Sequence, residues 1–183
     1  MSWSDTLPSA LRGATLAAGL LTAPLALSGC GLHPLYGEAS SGRAVGAELQ
    51  QVAIDLIPER NGQVLRNLLM DKFYLDGRPA KPDYRLAIQL TSTEENLGIR
   101  PDATATRSRV RINADVQLLS AKTGEVLYHT SARSIVSYDI LQAQYATLVG
   151  QQDAFQRGLT QLSDDIRTRL AIHFEQQRRG RKS

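Results

Sequence analysis

The sequence predicts an α+β fold, with an about four-stranded, mostly antiparallel sheet and two helices packed on one face. Two observations lead to this fold. Apolar and polar residues alternate in several stretches between residues 51 and 137, as in half-buried strands, while residues 62–75 and 144–177 have apolar residues at helical spacing. Because each strand has one apolar side and each helix one apolar stripe, a single sheet face covered by both helices buries all of this surface.

The first 29 residues have the pattern of a signal peptide. Arg12 supplies a sparse positive region, and residues 14–27 form an apolar stretch that is too short to span a bilayer, for which about 20 apolar residues are needed. The stretch ends in Leu-Ser-Gly before Cys30, which resembles the bacterial lipobox. The resemblance implies cleavage before Cys30 and acylation of this cysteine; the alternative is a buried core cysteine. Gly31 stands where Asp often signals inner-membrane retention, so the outer membrane is favoured by analogy.

The next elements alternate between irregular and regular structure. Residues 30–48 comprise Cys30 and a stretch rich in Gly, Ser and Pro, which indicates a flexible linker. Residues 51–57 alternate as a strand, residues 62–75 form a helix that Asn61 can cap, and residues 84–91 alternate as a second strand.

The remaining elements form a meander followed by a long helix. Residues 93–105 are polar and contain Gly and Pro, as in a loop, and a strand covers residues 107–118. Residues 121–124 predict a hairpin turn, and residues 125–137 a further strand. The last helix is predicted over residues 144–177, within a domain that spans residues 49–177. Its apolar stripe consists of Tyr145, Leu148, Val149, Gln152, Phe155, Leu159, Leu162, Ile166, Leu170 and Phe174.

The net charge of +3 comes from the end of the sequence. Residues 178–183 carry four cations, whereas Arg12 and Asp5 cancel in the leader and the body of the chain is close to neutral. A near-neutral domain argues against a nucleic-acid partner. Residues 178–183 are predicted to be a disordered basic tail, with contact to anionic lipid headgroups as the alternative.

A row of arginines is the best candidate for a binding site. Alternation places Arg107, Arg109 and Arg111 on one strand face, about 6.5–7 Å apart along the strand. Each guanidinium presents a planar fork of donors that suits phosphates and carboxylates. The full candidate set consists of Arg107, Arg109, Arg111, Arg85, Arg133 and Lys122. The alternative is that these cations keep the wet sheet face soluble and discourage edge pairing.

Two tyrosines flank the connection between the last strand and the last helix. Tyr138 is a candidate contact for a protein partner, because tyrosine is favoured at interfaces, whereas Tyr145 lies on the apolar stripe and is expected in the core. The acidic pair at residues 94–95 and the pair at residues 164–165 are expected to be solvated surface charges.

Enzyme chemistry has no visible signature. The sequence has no Gly-rich phosphate loop, HExxH, CxxC or GxSxG motif, and His33, His129 and His173 lack metal-ligand spacing. No catalytic residue, metal or cofactor is therefore predicted.

Several segments resemble the LptE family of lipopolysaccharide-assembly lipoproteins in its alphaproteobacterial form. They are CGLHPLYG at residues 30–37, ATR at 105–107, TGEVL at 123–127, and the SYD, QYA and DA motifs within residues 137–154. The resemblance implies a periplasm-facing outer-membrane lipoprotein that binds and plugs the large β-barrel LptD, and a pair that inserts lipopolysaccharide into the outer leaflet. The arginine set then becomes a candidate lipopolysaccharide-binding site, and Tyr138 a candidate barrel contact. The alternative is a generic lipid-anchored periplasmic binding or scaffold module with another partner.

Overall fold

The computed structural model describes residues 40–74, 77–99 and 105–181, so the predictions made for the signal peptide and for Cys30 lie outside the described residues. The described elements, in chain order, are α1 (Ser40–Gln50), β1 (Val52–Ile54), α2 (Glu59–Phe73), β2 (Tyr84–Ile99), β3 (Ala105–Ser120), β4 (Val126–Asp139) and α3 (Gln144–Gly180).

The four strands form one sheet in the order β1-β2-β3-β4. β2, β3 and β4 are antiparallel neighbours, while β1 runs parallel to β2 and pairs only with Tyr84, Arg85 and Leu86. The prediction of a four-stranded, mostly antiparallel sheet is therefore confirmed, and the parallel edge strand makes the sheet mixed.

The β2–β3 hairpin is longer than the sequence analysis predicted. Residues 93–99 continue β2 instead of entering a polar loop, and pairing extends to Ile99 opposite Ala105. Alternation stops being visible there because both faces of this arm are polar, although threonines favour strands. The turn at residues 121–124 is confirmed: Gly124 has a φ of 73°, and its N–H donates to the Ser120 carbonyl.

Alternate residues of β2, β3 and β4 are buried on the face that carries the helices. β3 shows this most clearly, since its even-numbered residues from Ser108 to Leu118 are buried and the odd-numbered ones are partly or fully exposed. The core of this face includes Leu86, Ile88, Val110, Ile112, Ala114, Val116, Leu118 and Ala132 from the sheet. The opposite face, called the open face below, is formed by the odd-numbered residues.

The described residues form three helices, not the two that were predicted, which corrects the helix count. The additional helix α1 lies largely in the stretch that the sequence analysis read as a linker. Val45 and Leu49, four residues apart on one helix face, are 3% and 2% exposed and belong to the core. Local helix propensity does not predict α1, because the segment contains glycines and serines. Burial of its apolar face supplies most of the stability of such a short helix.

The helix α3 packs on the sheet through small residues in its first half. An added Cβ at Gly150 would lie 3.9 Å from the Tyr138 ring, and one at Gly158 only 2.8 Å from Ile112 Cδ1, while Ala154 is fully buried. The predicted stripe is therefore correct from Leu159 to Phe174, and Phe155 also packs against the core, but the stripe is wrong for the exposed Tyr145, Leu148, Val149 and Gln152. Large apolar residues face the sheet only in the part of α3 that lies further from it. Where α3 packs close to the sheet, small residues face the strands.

No helix in the described part of the chain combines the length and hydropathy that a membrane span requires.

Candidate ligand-binding face

The arginine row lies on the open face of the central strand β3. Arg107 is opposite Asp139 of β4, Arg109 is opposite Glu95 of β2, and Arg111 lies between Thr93 and Ile135. Two-residue spacing separates neighbouring arginines by about 6.5–7 Å along the strand, as predicted from alternation. The row is thus a linear set of three guanidinium groups near the end of the sheet where β2 and β3 join.

Two of these arginines have carboxylate partners across the sheet. Arg107 Nε lies 3.4 Å from Asp139 Oδ1, and Arg109 Nη1 lies 3.9 Å from Glu95 Oε2. All four side chains are substantially exposed, so each pair is worth between 0 and about 1 kcal/mol. Weak, solvated pairs of this kind leave the guanidinium groups available for a more highly charged ligand.

Only one of the other predicted cations joins this row. Arg133 of β4 pairs with Asn113, directly beyond Arg111 on β3, and its Nε donates to Asn113 Oδ1 at 2.9 Å. Arg85 pairs with Asp55 at 2.8 Å, and this hydrogen bond raises the pKa of the guanidinium.

The cations that are not brought together lie at the other end of the sheet. Arg85 is opposite Leu119, and Lys122 occupies the β3–β4 turn. Arg111 lies nine strand steps, about 30 Å, from Ser120 at the end of β3, and Lys122 lies beyond Ser120. Arg85 and Lys122 therefore do not form one site with the arginine row, although Arg85 has the outward phase that was predicted.

A cavity of about 620 Å³ lies next to the arginine row and is lined by residues from both sides of the sheet. Its open-face lining consists mainly of hydroxyl and amide side chains, together with Asp115 and Arg133, and Asp165 and Arg169 of α3 contribute as well. His129 Nε2 lies 2.8 Å from Asp115 Oδ2 at the far side of this region. These groups are hydrogen-bonding partners for polyhydroxylated ligands.

A polar cluster on the helix-covered side fixes the start of α3. Glu94 accepts hydrogen bonds from Ser108 Oγ at 2.9 Å, from Gln151 Nε2 at 2.8 Å and from the Tyr138 hydroxyl. Partial burial raises the pKa of Glu94, but the three hydrogen bonds outweigh it, and the net effect lowers the pKa. Glu94 remains exposed, as was expected of a surface charge, but these three hydrogen bonds also hold its carboxylate in place. Continuing the alternation of Leu86, Ile88 and Leu90 would have placed it on this face.

The two tyrosines exchange the environments expected for them. Tyr138 is 9% exposed and its hydroxyl is engaged by Glu94, so it offers little surface to a partner. Tyr145 is 79% exposed, because the small residues of α3 and not its large ones face the sheet. Tyr145 forms an exposed apolar patch with Leu141, Leu148 and Val149, which we call the α3 patch.

Metal-binding geometry is absent from the described residues, where no group of three or more His, Cys, Asp or Glu side chains converges. His129 is engaged by Asp115, and His173 stacks on Tyr128 with ring centroids 4.4 Å apart. Burial lowers the pKa of His173. His33 lies outside the described residues.

The fold is shared with bacterial lipoproteins of known structure. A lipoprotein from Caulobacter crescentus is 26% identical, with coverage of 71% of this chain and 95% of that one and a TM-score of 0.57. Lipoprotein B from Nitrosomonas europaea is 13% identical (67% and 83% coverage, TM-score 0.53), and rare lipoprotein B from Shewanella oneidensis is 8% identical (72% and 98%, TM-score 0.51). At such low identities the last two show the fold alone. The domain thus has the architecture of a class of bacterial lipoproteins.

The family follows from the sequence match. A family model described as LptE, lipopolysaccharide-assembly, matches residues 49–170, about two thirds of the chain. This chain belongs to the LptE family, and the resemblance seen in its motifs is confirmed. No match was found among curated protein sequences.

Proposed function

We propose that this protein is a non-enzymatic outer-membrane lipoprotein that partners and plugs an LptD-type β-barrel and takes part in lipopolysaccharide insertion. Membership in the LptE family supports the lipopolysaccharide-assembly role. The observation that carries the proposal within the domain is the arginine row, Arg107, Arg109 and Arg111, on an open sheet face that no described helix covers.

The arginine row fits the anionic groups of lipopolysaccharide. Phosphates on lipid A and acidic sugars in the inner core would replace Asp139 and Glu95 as partners of Arg107 and Arg109, since those exposed ion pairs contribute little. Bidentate, charge-assisted hydrogen bonds to phosphate are stronger than the pairs they displace. The adjoining hydroxyl and amide groups would face the saccharide part of the same ligand.

Two surfaces suit a position inside a barrel. Barrel lumens are polar, and so is the open face of the sheet. The α3 patch exposes Tyr145, Leu148 and Val149 on consecutive turns. We therefore propose Tyr145, instead of the buried Tyr138, as a contact with the barrel.

Anchoring by acyl chains would hold the domain on the periplasmic side of the outer membrane. One acyl chain gives only marginal membrane binding, whereas the two or three expected on an acylated Cys30 bind stably. The domain would then act by contact with its barrel and ligand, without a covalent step.

Purification from detergent-solubilised outer membranes tests the proposal. A tagged full-length protein should recover a large β-barrel, and Tyr145→Ser with Leu148→Ser should reduce this recovery at least tenfold, because interface hot spots contribute about 2 kcal/mol or more. Ile172→Ser, which alters an exposed apolar residue in the other half of α3, is the matched control and should leave recovery unchanged. Recovery of soluble periplasmic proteins alone would instead indicate the generic lipid-anchored module.

A further inference from the structure

The last part of α3 extends beyond the core. Phe174 is the last fully buried residue of this helix, and the helix continues to Gly180, about 9 Å further at 1.5 Å per residue. Arg178 and Arg179 lie in its last turn and Arg181 follows, with Lys182 next in the sequence. We call Arg178, Arg179 and Arg181 the basic end. The described part of this segment is helical, not the disordered tail that the sequence analysis expected.

The basic end lies at the opposite end of the sheet from the arginine row. The Phe174 ring lies 5.1 Å from the Tyr84 ring, and His173 stacks on Tyr128. Tyr84 and Tyr128 pair with Ser120 and Leu118 of β3, next to the β3–β4 turn. Since Arg107 is near the start of β3, the molecule carries two separate groups of arginines, one towards each end of its long strands.

The helix α1 places the N-terminal part of the domain beside the basic end. Glu48 of α1 lies close enough to Arg178 and Arg181 to interact with both: burial raises the pKa of Glu48, and the two guanidinium groups oppose this rise. Arg179 Nε donates to Glu175 Oε1 at 3.2 Å. Glu48 and Glu175 thus lie beside the basic end, and its three guanidinium groups outnumber these two carboxylates.

The length of the chain before α1 limits how far an acyl anchor can be from this region. Nine residues separate Cys30 from Ser40, and ten residue steps span at most about 34 Å. Glu48, beside the basic end, lies about 12 Å further along α1, so the chain is long enough for the basic end to lie at the bilayer surface.

We propose that the basic end is a second membrane contact, which binds the headgroups of anionic phospholipids on the bilayer surface. The inference rests on the proposed anchoring at Cys30, because acylation brings the domain to that surface. Polybasic segments commonly supplement acyl chains in this way. One or two cations would be enough to complement the helix dipole, whereas the sequence has four cations within residues 178–182.

Vesicle binding of the mature chain, residues 30–183 with Cys30→Ser, tests this inference, since neither an acyl group nor the apolar leader then dominates partitioning. The protein should bind vesicles of phosphatidylcholine mixed with phosphatidylglycerol more tightly than phosphatidylcholine alone, and salt should weaken the difference. Replacing Arg178, Arg179 and Arg181 with Ala should reduce binding to the anionic vesicles on the order of 100-fold. Replacing them with Lys should retain most of it, which separates charge from loss of fold.

The matched control removes the same number of charges elsewhere. Arg60 and Lys72 of α2 and Arg157 in the first half of α3, replaced with Ala, should leave vesicle binding within a few-fold of the starting protein. Equal losses in the two alanine variants, or equal binding to neutral and anionic vesicles, would overturn the inference. Barrel recovery tests the proposed function separately. The lipidated protein with Arg178, Arg179 and Arg181 replaced by Ala should still recover the barrel. Failure of barrel recovery with an intact vesicle difference would count against the function alone.

Discussion

At the residue scale, Glu94 shows what alternation alone can and cannot predict. Its position in the two-residue repeat assigns it to the helix-covered face, but its charge suggested solvent. The structure resolves this conflict with three donors, from Ser108, Tyr138 and Gln151, that come from three different elements. Those partners are distant in sequence, so no local pattern could predict them.

Glu94→Gln should destabilise the fold by about 1 kcal/mol at neutral pH. Hydrogen bonds to a charged acceptor are worth about 1.5–3 kcal/mol, and solvent exposure of Glu94 reduces this value. Because the folded-state pKa lies below the ordinary value of 4.5, the stabilisation is present above that pH and is lost as pH falls through the folded-state pKa. Denaturant unfolding at several pH values should therefore show the two proteins converging in acid.

Glu95→Gln is the control for that change. Its carboxylate is on the open face, 3.9 Å from Arg109, and its removal should cost less than about 0.5 kcal/mol. A Glu94→Gln variant that unfolds like Glu95→Gln at neutral pH would show that the polar cluster does not stabilise the start of α3.

At the element scale, α2 and the strands other than β2 were predicted to within a few residues, while the second half of β2, α1 and one face of α3 were not. Strand alternation depends only on neighbouring residues, so the open face of β3 was correctly identified. The sheet-facing side of α3 depends on how closely the helix approaches, and Gly150, Ala154 and Gly158 allow an approach that larger residues would prevent. A pattern search for large apolar residues selects the wrong side of such a helix.

Gly158→Val should destabilise the protein by about 1–3 kcal/mol. A Cβ at this position already lies 2.8 Å from Ile112 Cδ1 and 3.4 Å from Val136 Cγ2, and valine adds two further methyl groups to this contact. Denaturant unfolding measures the change. In the control Gly46→Ala, nothing lies within 4 Å of the new Cβ, so the higher helix propensity should leave stability unchanged or raise it by up to about 1 kcal/mol. Equal stability of Gly158→Val and the unmodified protein would contradict the close packing of α3.

At the scale of the whole molecule, the α+β class and the mostly antiparallel sheet could be predicted, whereas the strand order could not. Three antiparallel strands joined by short connections are expected to be neighbours. β1 and β2 are connected through α2, which returns the chain so that β2 begins beside β1 and runs parallel to it. This path could not be predicted from local patterns. The separation of Arg85 and Lys122 from the arginine row follows from this long sheet, and outward phase alone did not indicate it.

Removal of the arginine row should weaken lipopolysaccharide binding at least about tenfold, since hydrogen bonds to charged groups contribute about 1.5–3 kcal/mol each. The change replaces Arg107, Arg109 and Arg111 with Ala, and titration with purified lipopolysaccharide measures it. Arg85→Ala with Lys122→Ala, at the other end of the sheet, should change binding less than threefold. The unfolding free energy of the arginine-row variant should shift by about 1 kcal/mol or less, because the lost pairs are exposed. Unchanged lipopolysaccharide affinity would rule out the arginine row as the binding site.

The shortness of β1 has a consequence for the behaviour of the isolated chain. Because β1 covers only the first three residues of β2, alternate amide and carbonyl groups along the rest of that margin have no strand beside them among the described residues. Such margins recruit extended segments of other molecules and start aggregates. Threonine, glutamate and asparagine side chains dominate this margin from Thr91 to Asn96, and they oppose self-association through hydration and like charge. The polar residues that made the second half of β2 resemble a loop in the sequence thus also keep the chain soluble before it assembles with a partner.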